Sequence, residues 1–156
     1  MKLAGKQIVL DSNVLVHLIR GGKAGQLIEQ AYGVGSRRPR AVVPVVVKGE
    51  IKSLALQFGW GAGKQEQLDA LLAQLPTVDI SSDPVVAAYA QLDDASRKQG
   101  RTMGKNDVWI AAVTVVQKAV LLTTGQDFDH LAGGVMDREY IDPAQLLKGT
   151  LAARSS

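Results

Sequence analysis

The chain has 156 residues, of which 46% are hydrophobic, 21% are charged and 4% are aromatic, which predicts one domain with an aliphatic core and excludes intrinsic disorder. The 18 Lys and Arg residues outnumber the 15 Asp and Glu residues, and the net charge of +3 is compatible with a nucleic-acid partner but too small to demonstrate one. The absence of cysteine excludes disulfides, thiolate catalysis and thiolate metal sites.

Four short runs rich in aliphatic and β-branched residues are predicted as strands, and the segment VMDREYI is predicted as the last strand of the sheet. Stretches with helical spacing of apolar residues lie between most of them. Continuous apolar strands that alternate with helices are typical of a parallel sheet covered on both faces. The sequence therefore predicts an α/β fold, a three-layer α/β/α domain over residues 1–150 with a mostly parallel sheet of four or five strands, and a disordered tail at 151–156. The predicted strands are 7–10, 41–47, 77–80, 119–124 and, as the last one, 135–141.

Helix-start signals mark several of the predicted helices. Asp83 precedes Pro84, a pair that predicts an N-cap followed by proline at the first helical position, and the same pair recurs at Asp142 and Pro143. Asn106 is predicted as the N-cap of a further helix. The predicted helices cover 14–20, 23–33, 48–58, 64–75, 83–99 and 106–119, and a last one follows Pro143.

The loop at 35–40, with the sequence GSRRPR, concentrates positive charge on a predicted connection. We interpret it as a solvated turn, and contact with a phosphate backbone is the alternative. The charge by itself does not decide between the two.

Four acidic residues follow predicted strands or open predicted helices. Asp11 comes directly after the first strand, and Asp127 follows the strand at 119–124. Glu50 and Asp107 lie in the first turns of two predicted helices. Because ligands bind at the carboxyl ends of the strands in an open parallel sheet, we expect these side chains to share one edge. Each acid taken alone is also compatible with a structural role at a helix start.

Four converging carboxylates predict a bound cation. Like charges at close range are not tolerated in the ionised form without compensation. Oxygen ligands without cysteine suit a hard ion such as Mg²⁺ or Mn²⁺. Such an ion lowers the pKa of the water that it binds and can also bind a phosphate oxygen. The residue types therefore favour hydrolysis of phosphodiester bonds.

The acids lie within four sequence blocks: IVLDSNVLVHLIRG, VVVKGEIKSLA, GRTMGKNDVWIAA and LLTTGQDFDHL. In this order and spacing, from Ile8 to about Ile141, the blocks resemble PIN-domain ribonucleases of the VapC toxin type. The resemblance implies a PIN-like α/β/α fold and a metal-dependent endoribonuclease, in which Asp11, Glu50 and Asp107 bind Mg²⁺ or Mn²⁺ and a metal-activated water hydrolyses RNA.

The last block departs from the pattern of the family. Relatives commonly read T-x-D-x-D-F, whereas this chain reads TTGQDF, with Gly125 where the first acid would stand. Asp127 is retained, and we expect it to supply the fourth carboxylate. The alternative is a three-acid site with a weakened second metal position, so the number of bound ions stays open.

Polar residues beside the acids are candidates for supporting roles. Side chains next to a ligand commonly hydrogen-bond it, and basic side chains near a nuclease site contact phosphates. Caps and ordinary surface residues are the alternatives. The candidates are Ser12, Asn13 and Asn106 for hydrogen bonds to the carboxylates, and Arg20, Arg101 and Lys105 for phosphate contacts.

The resemblance also implies a toxin of a type II toxin–antitoxin pair, with an RNA substrate, a cognate VapB-like antitoxin and a homodimer. Leu54, Leu56, Phe58 and Trp60 offer apolar area for a partner segment, and core packing explains the same residues. No apolar stretch approaches the length of a membrane span, and the N-terminus lacks the layout of a secretion signal. We therefore expect a cytoplasmic protein without a membrane partner.

Two other classes of function remain as alternatives. The first is a catalytically silent PIN-like binding module, which the departure at Gly125 keeps open. The second is a receiver-like phosphoacceptor domain, which also places acids at strand ends but normally pairs two acids early in the chain. A Ser-His-Asp arrangement is not indicated, because His17 and His130 are the two histidines and both are interpreted as structural or surface residues.

Overall fold

The computed structural model describes residues 1–155, and it describes the side chains of residues 1–149. This part of the chain forms five strands and seven helices. The disordered tail predicted at 151–156 lies outside the residues with described side chains and stays a prediction. In chain order, the elements are β1 (Ile8–Leu10), α1 (Ser12–Arg20), α2 (Lys23–Tyr32), β2 (Val43–Pro44), α3 (Val45–Gln57), α4 (Ala62–Gln74), β3 (Thr77–Val78), α5 (Asp83–Lys98), α6 (Lys105–Val116), β4 (Val120–Thr123), β5 (Asp137–Tyr140) and α7 (Pro143–Ser155).

The strand pairings in this part of the chain are all parallel. β4 lies between β1 and β5, and β2 pairs with β3. A parallel bridge between Val9 and Val42 joins the two groups, because Val42 donates its N–H to the Ile8 carbonyl and accepts a hydrogen bond from the Leu10 N–H. The strand order is therefore β3-β2-β1-β4-β5. The predicted α/β fold with a mostly parallel sheet is confirmed.

The two central strands are buried along their whole length, as their uninterrupted apolar sequences predict. β1 and β4 both consist entirely of buried residues. Helices cover the sheet, and α1 and α2 approach each other closely at Gly25, where a Cβ atom would overlap with the His17 carbonyl. None of the helices in the described part of the chain combines the length and the apolar character needed to cross a membrane.

The strand predicted at 41–47 is wrong over its second half. Only Val43 and Pro44 form a strand, and the helix α3 begins at Val45 with Pro44 as its N-cap residue. Val47 is fully buried in the core, so packing outweighs the β propensity of the valines. As a consequence, Glu50 lies in the second turn of α3 rather than in the first.

Two of the predicted helix caps are also wrong by one or two residues. α5 is capped by Ser82, whose hydroxyl accepts a hydrogen bond from the Val85 N–H at 3.4 Å, and Asp83 is the first helical residue. α6 is capped by Gly104, so Asn106 lies inside the helix. The third prediction agrees with the structure, because the Asp142 carboxylate accepts the Ala144 N–H at 3.0 Å.

The loop at 35–40 is not only a solvated turn, because Arg37 is 1% exposed. Its guanidinium donates to the Tyr32 carbonyl at 2.7 Å and to the Lys6 carbonyl at 2.9 Å, and it also reaches the carbonyls of Lys2 and Leu3. The planar donors of arginine suit several carbonyls at once. Arg37 therefore ties the N-terminal segment to the end of α2.

Arg37→Lys should lower the free energy of unfolding by about 2–4 kcal/mol, because a single ammonium group cannot satisfy the four carbonyls that the guanidinium reaches. Urea unfolding followed by circular dichroism measures the change. Arg40→Lys is the matched control, since Arg40 is exposed in the same loop, and it should leave the stability unchanged. Equal stabilities of the two variants would contradict the structural role of Arg37.

Candidate active site

Asp11 lies at the carboxyl edge of the sheet, directly after the last residue of β1. It follows Leu10, which pairs with Leu122 of β4, and its N–H donates to the Leu122 carbonyl at 3.1 Å. The same residue is the N-cap of α1. Its side chain is buried, with 5% of the residue exposed. The apolar run of β1 therefore ends on a carboxylate inside the protein.

A network of hydrogen bonds holds the Asp11 carboxylate in place. The Thr123 hydroxyl donates to Oδ2 at 2.7 Å, and the Ser12 N–H donates to Oδ1 at 2.8 Å. The Asn13 side-chain amide lies 3.3 Å from both Oδ2 of Asp11 and the Thr123 hydroxyl. The Gly125 N–H completes the network with a bond of 3.0 Å to the same hydroxyl. Both carboxylate oxygens of Asp11 therefore have fixed donors.

The sequence analysis missed the role of Thr123. Its hydroxyl lies at the end of a strand whose other three residues are apolar and buried. A lone hydroxyl at the carboxyl end of a buried strand is the signal that would have identified it, because a buried polar group needs a partner. The contact joins residues 112 positions apart in the chain.

Asp107 faces the other three acids from the first turn of α6. Burial raises the pKa of Asp107 to about 7, and the negative charges of Asp11, Asp127 and Glu50 contribute to that shift. Burial, more than the charge of Glu50, also raises the pKa of Asp11, while the hydrogen bonds from Thr123 and Ser12 act in the opposite direction. The four predicted acids therefore influence one another electrostatically, as expected from their positions along the chain.

Glu50 and Asp127 border two different depressions, and Asp107 lines both of them. Glu50 projects from the second turn of α3, and its Oε1 atom is buried without a hydrogen-bond partner among the described residues. Asp127 is exposed, in the turn after β4. A buried carboxylate oxygen without a partner is costly unless something else binds it.

The donor set fits a hard divalent cation. It consists of carboxylate oxygens, one of them without a partner, and a cation would relieve the repulsion that raises the pKa of Asp107. Among the residues with described side chains, no group of three or more acids or histidines is already placed to bind a metal ion. The residues thus suit Mg²⁺ or Mn²⁺ by their chemistry, and the assignment of ligands stays a prediction.

A family comparison agrees with this geometry. The model of the PIN domain family matches residues 8–134, which is most of the chain. This chain belongs to the PIN domain family. The resemblance inferred from the four sequence blocks is therefore confirmed, and the receiver-like alternative is excluded.

Relatives of this PIN domain include VapC proteins. Ribonuclease VapC1 from Haemophilus influenzae strain R2866 is 25% identical over 118 residues, which cover 74% of this chain and 84% of the relative. The crystal structure of VapBC2 from Rickettsia felis, bound to a DNA fragment from the promoter, has a TM-score of 0.70 at 19% identity and covers 87% of this chain and 99% of that chain. VapBC-1 from nontypeable Haemophilus influenzae has a TM-score of 0.69 at 20% identity, with coverage of 86% and 97%. The two solved structures show the same fold.

The predicted supporting residues have different surroundings in the PIN domain. Ser12 contacts Asp11 through its backbone N–H. Asn106 borders the same depression as Glu50. At Gly125, a Cβ atom would lie 3.3 Å from the Asn13 amide nitrogen, so the amide would have to move for an acid to stand there.

The three basic candidates also lie in different places. Arg101 lines a cavity together with Asp107 and Asp127. Lys105 borders the depression beside Glu50. The Arg20 guanidinium lies 4.8 Å from the centre of the Phe58 ring, as in a cation–π contact. Arg101 and Lys105 therefore each share a depression with two of the acids, and Asp107 is common to both.

Thr123→Val keeps the shape of the side chain and removes the hydroxyl. It should lower the free energy of unfolding by about 1–3 kcal/mol and raise the pKa of Asp11 further, because Asp11, Asn13 and the Gly125 N–H each lose a buried partner. Urea unfolding in EDTA and an NMR titration of the carboxyl group measure the two effects. Thr123→Ser retains the hydroxyl and should keep the pKa of the wild type. An unchanged pKa of Asp11 in Thr123→Val would contradict the network.

Asp107 should make the metal-free protein less stable as the pH rises. Its pKa is raised to about 7 from 3.8, so its stabilising contribution is present below about pH 4 and is lost as the pH rises through 7. Asp107→Asn lacks this loss and should be more stable than the wild type at pH 8 by about 1–2 kcal/mol, a figure that allows for screening of the partly exposed side chain.

Urea unfolding in EDTA at pH 4, 6 and 8 measures this difference. Asp137→Asn is the control, because Asp137 is exposed and pairs with the first residue of β4, at the opposite end of the strand from the site. A constant difference between Asp107→Asn and the wild type across these pH values would show that Asp107 is not titrating as described.

Proposed function

We propose that this PIN domain is a metal-dependent endoribonuclease and the toxin of a type II toxin–antitoxin pair. The observation that carries the proposal is the group of four acids at the carboxyl edge of the sheet, where the other three contribute to the raised pKa of Asp107. The family match and the VapC ribonuclease relative support the activity. Hydrolysis of RNA phosphodiester bonds is the reaction that such a site suits.

Asp11, Glu50, Asp107 and Asp127 would hold Mg²⁺ or Mn²⁺. When bound, the ion supplies an activated water and stabilises negative charge on the phosphate. The protein holds Asp11 ready through the Thr123 hydroxyl, the Ser12 N–H and the Asn13 amide. The buried Oε1 of Glu50 offers an acceptor that has no hydrogen-bond partner among the described residues.

Asp107 would have to lose its proton before a metal ion binds to it. With a pKa of about 7, its carboxyl group is half protonated at neutral pH in the metal-free protein. That proton must leave before the oxygens of Asp107 serve as ligands, because only the ionised carboxylate binds a cation well. Binding of the metal ion is therefore favoured at neutral and higher pH.

The proposal includes an antitoxin of the VapB type, a homodimer and action on RNA in the cytoplasm. Two solved structures of the same fold are VapBC complexes, which supports the antitoxin. Of the four residues predicted to offer apolar area, Leu56 is 71% exposed and Phe58 is 45% exposed, whereas Trp60 is 8% exposed and belongs to the core. The exposed pair provides apolar surface for a protein partner.

Purified protein should cut total RNA into discrete fragments in Mg²⁺ or Mn²⁺ and should leave it intact in EDTA. Asp107→Asn should abolish the cleavage, because the substitution removes a carboxylate and preserves the shape. Asp137→Asn, at the far end of the sheet, should cleave like the wild type. Gel electrophoresis of the products measures the activity.

Two results would overturn the proposal. Full activity of Asp107→Asn would show that the proposed site is not the catalytic one. Intact RNA in every reaction, with a folded protein, would instead favour the silent PIN-like module, consistent with Gly125 at the position of the missing acid.

A further inference from the structure

A cavity of about 460 Å³ lies beside Asp107 and Asp127. Its other polar side chains include those of Arg101, Gln126 and His130. The volume is within the range of about 300–1,000 Å³ that is typical of ligand sites. A larger cavity, of about 810 Å³, is lined by residues of α2 and α7 and by none of the four proposed ligands. The cavity of about 460 Å³ adjoins two of the proposed ligands, as does a depression of about 430 Å³ lined by Glu50, Lys105 and Asp107. The first of these also presents an arginine and a histidine, and its contents would adjoin the reacting phosphate.

Arg101 and Gln126 face this cavity with unused hydrogen-bonding groups. Both residues are exposed, and neither side chain makes a hydrogen bond or an ion pair within the part of the chain that the structure describes. This differs from Arg97 on the neighbouring helix α5, which is paired with Asp93 at 3.1 Å. Unpaired donors beside two carboxylates are suited to a ligand that carries both negative charge and polar edges.

His130 forms a fixed part of the cavity wall. Its Nε2 atom lies 2.8 Å from the hydroxyl of Ser96, a fully buried residue of α5, and its Nδ1 atom has no partner among the described residues. Burial and the charge of Arg101 lower the pKa of His130, which favours the neutral ring, and the charge of Asp129 acts in the opposite direction. The positive charge that borders the cavity is therefore carried by Arg101.

We propose that this cavity holds one unpaired nucleotide of the RNA, next to the phosphate that is cleaved. Arg101 binds a phosphate oxygen, and Gln126 binds the edge of the base, since an amide offers both a donor and an acceptor. An unpaired nucleotide suits the cavity because bases in single-stranded RNA turn outward and expose their edges. This inference rests on the proposed function and adds the residues that select the cleaved sequence.

The first test measures RNA binding without cleavage. A fluorescein-labelled single-stranded RNA of mixed sequence is titrated with Asp107→Asn protein in Mg²⁺, and anisotropy gives Kd at several salt concentrations. Adding Arg101→Ala should raise Kd about tenfold and reduce the slope of log K against log salt by about 0.7, because one phosphate contact is lost. Arg97→Ala is the matched control and should change neither quantity, because Arg97 already has a partner.

The second test measures sequence preference in proteins that retain all four acids. Sequencing the fragment ends of cleaved RNA should show that Gln126→Ala broadens the base preference at one position beside the cut. Gln74→Ala is the control, because Gln74 is an exposed residue at the end of α4, outside the cavity. It should reproduce the preference of the wild type.

The outcomes separate this inference from the proposed function. In one outcome the wild type cleaves RNA, Arg101→Ala binds RNA as tightly as Arg97→Ala, and Gln126→Ala has the same base preference as Gln74→Ala. The inference is then wrong, whereas the proposed nuclease activity is supported. If the wild type cleaves no RNA, the proposed function fails and this inference fails with it. A tenfold loss of binding limited to Arg101→Ala, with a changed preference limited to Gln126→Ala, supports the nucleotide site.

Discussion

The burial of carboxylates at one edge of the sheet is the constraint on which the rest of this structure depends. Asp11 is buried, and burial, reinforced by the charges of the other three acids, raises the pKa of Asp107 to about 7. Ionised groups in such a place destabilise the fold unless hydrogen bonds or a cation compensate them. Thr123, Ser12 and Asn13 supply hydrogen bonds to Asp11, and the buried core of the sheet and helices supplies the stability that offsets the remaining repulsion.

The parallel topology explains why the acids meet. Parallel neighbours end at the same edge, and the register that pairs Leu10 with Leu122 places Asp11 beside Thr123. The helix after β2 then presents Glu50, and the helix before β4 presents Asp107. A ligand site at the carboxyl ends of the strands is the general consequence of this architecture. In this chain four acids lie near this edge, so the edge that concentrates negative charge is suited by its chemistry to a cation.

A nuclease needs more than acids, because carboxylates alone repel the RNA backbone. The cation that the acids would hold reverses the local charge, and Arg101 adds positive charge beside the cavity that adjoins Asp107 and Asp127. The wall formed by His130 is held by its contact with Ser96. Under the proposed function and the further inference, cleavage and selection of the RNA sequence would belong to adjoining but different groups of side chains, so that one could be altered without the other.

The sequence by itself determined the layers of the fold, the parallel sheet, the family and the candidate acids, because apolar periodicity and local blocks of residues carry this information. The tertiary structure decided the rest. Only the folded chain shows that Val45 begins a helix and that Arg37 is buried. Only the pairing of β1 with β4 brings Thr123 to Asp11 across 112 positions, and only the folded surface shows that Arg101 lines the cavity. Local patterns fix what each segment prefers, whereas the partner of a side chain depends on segments that are distant in the chain.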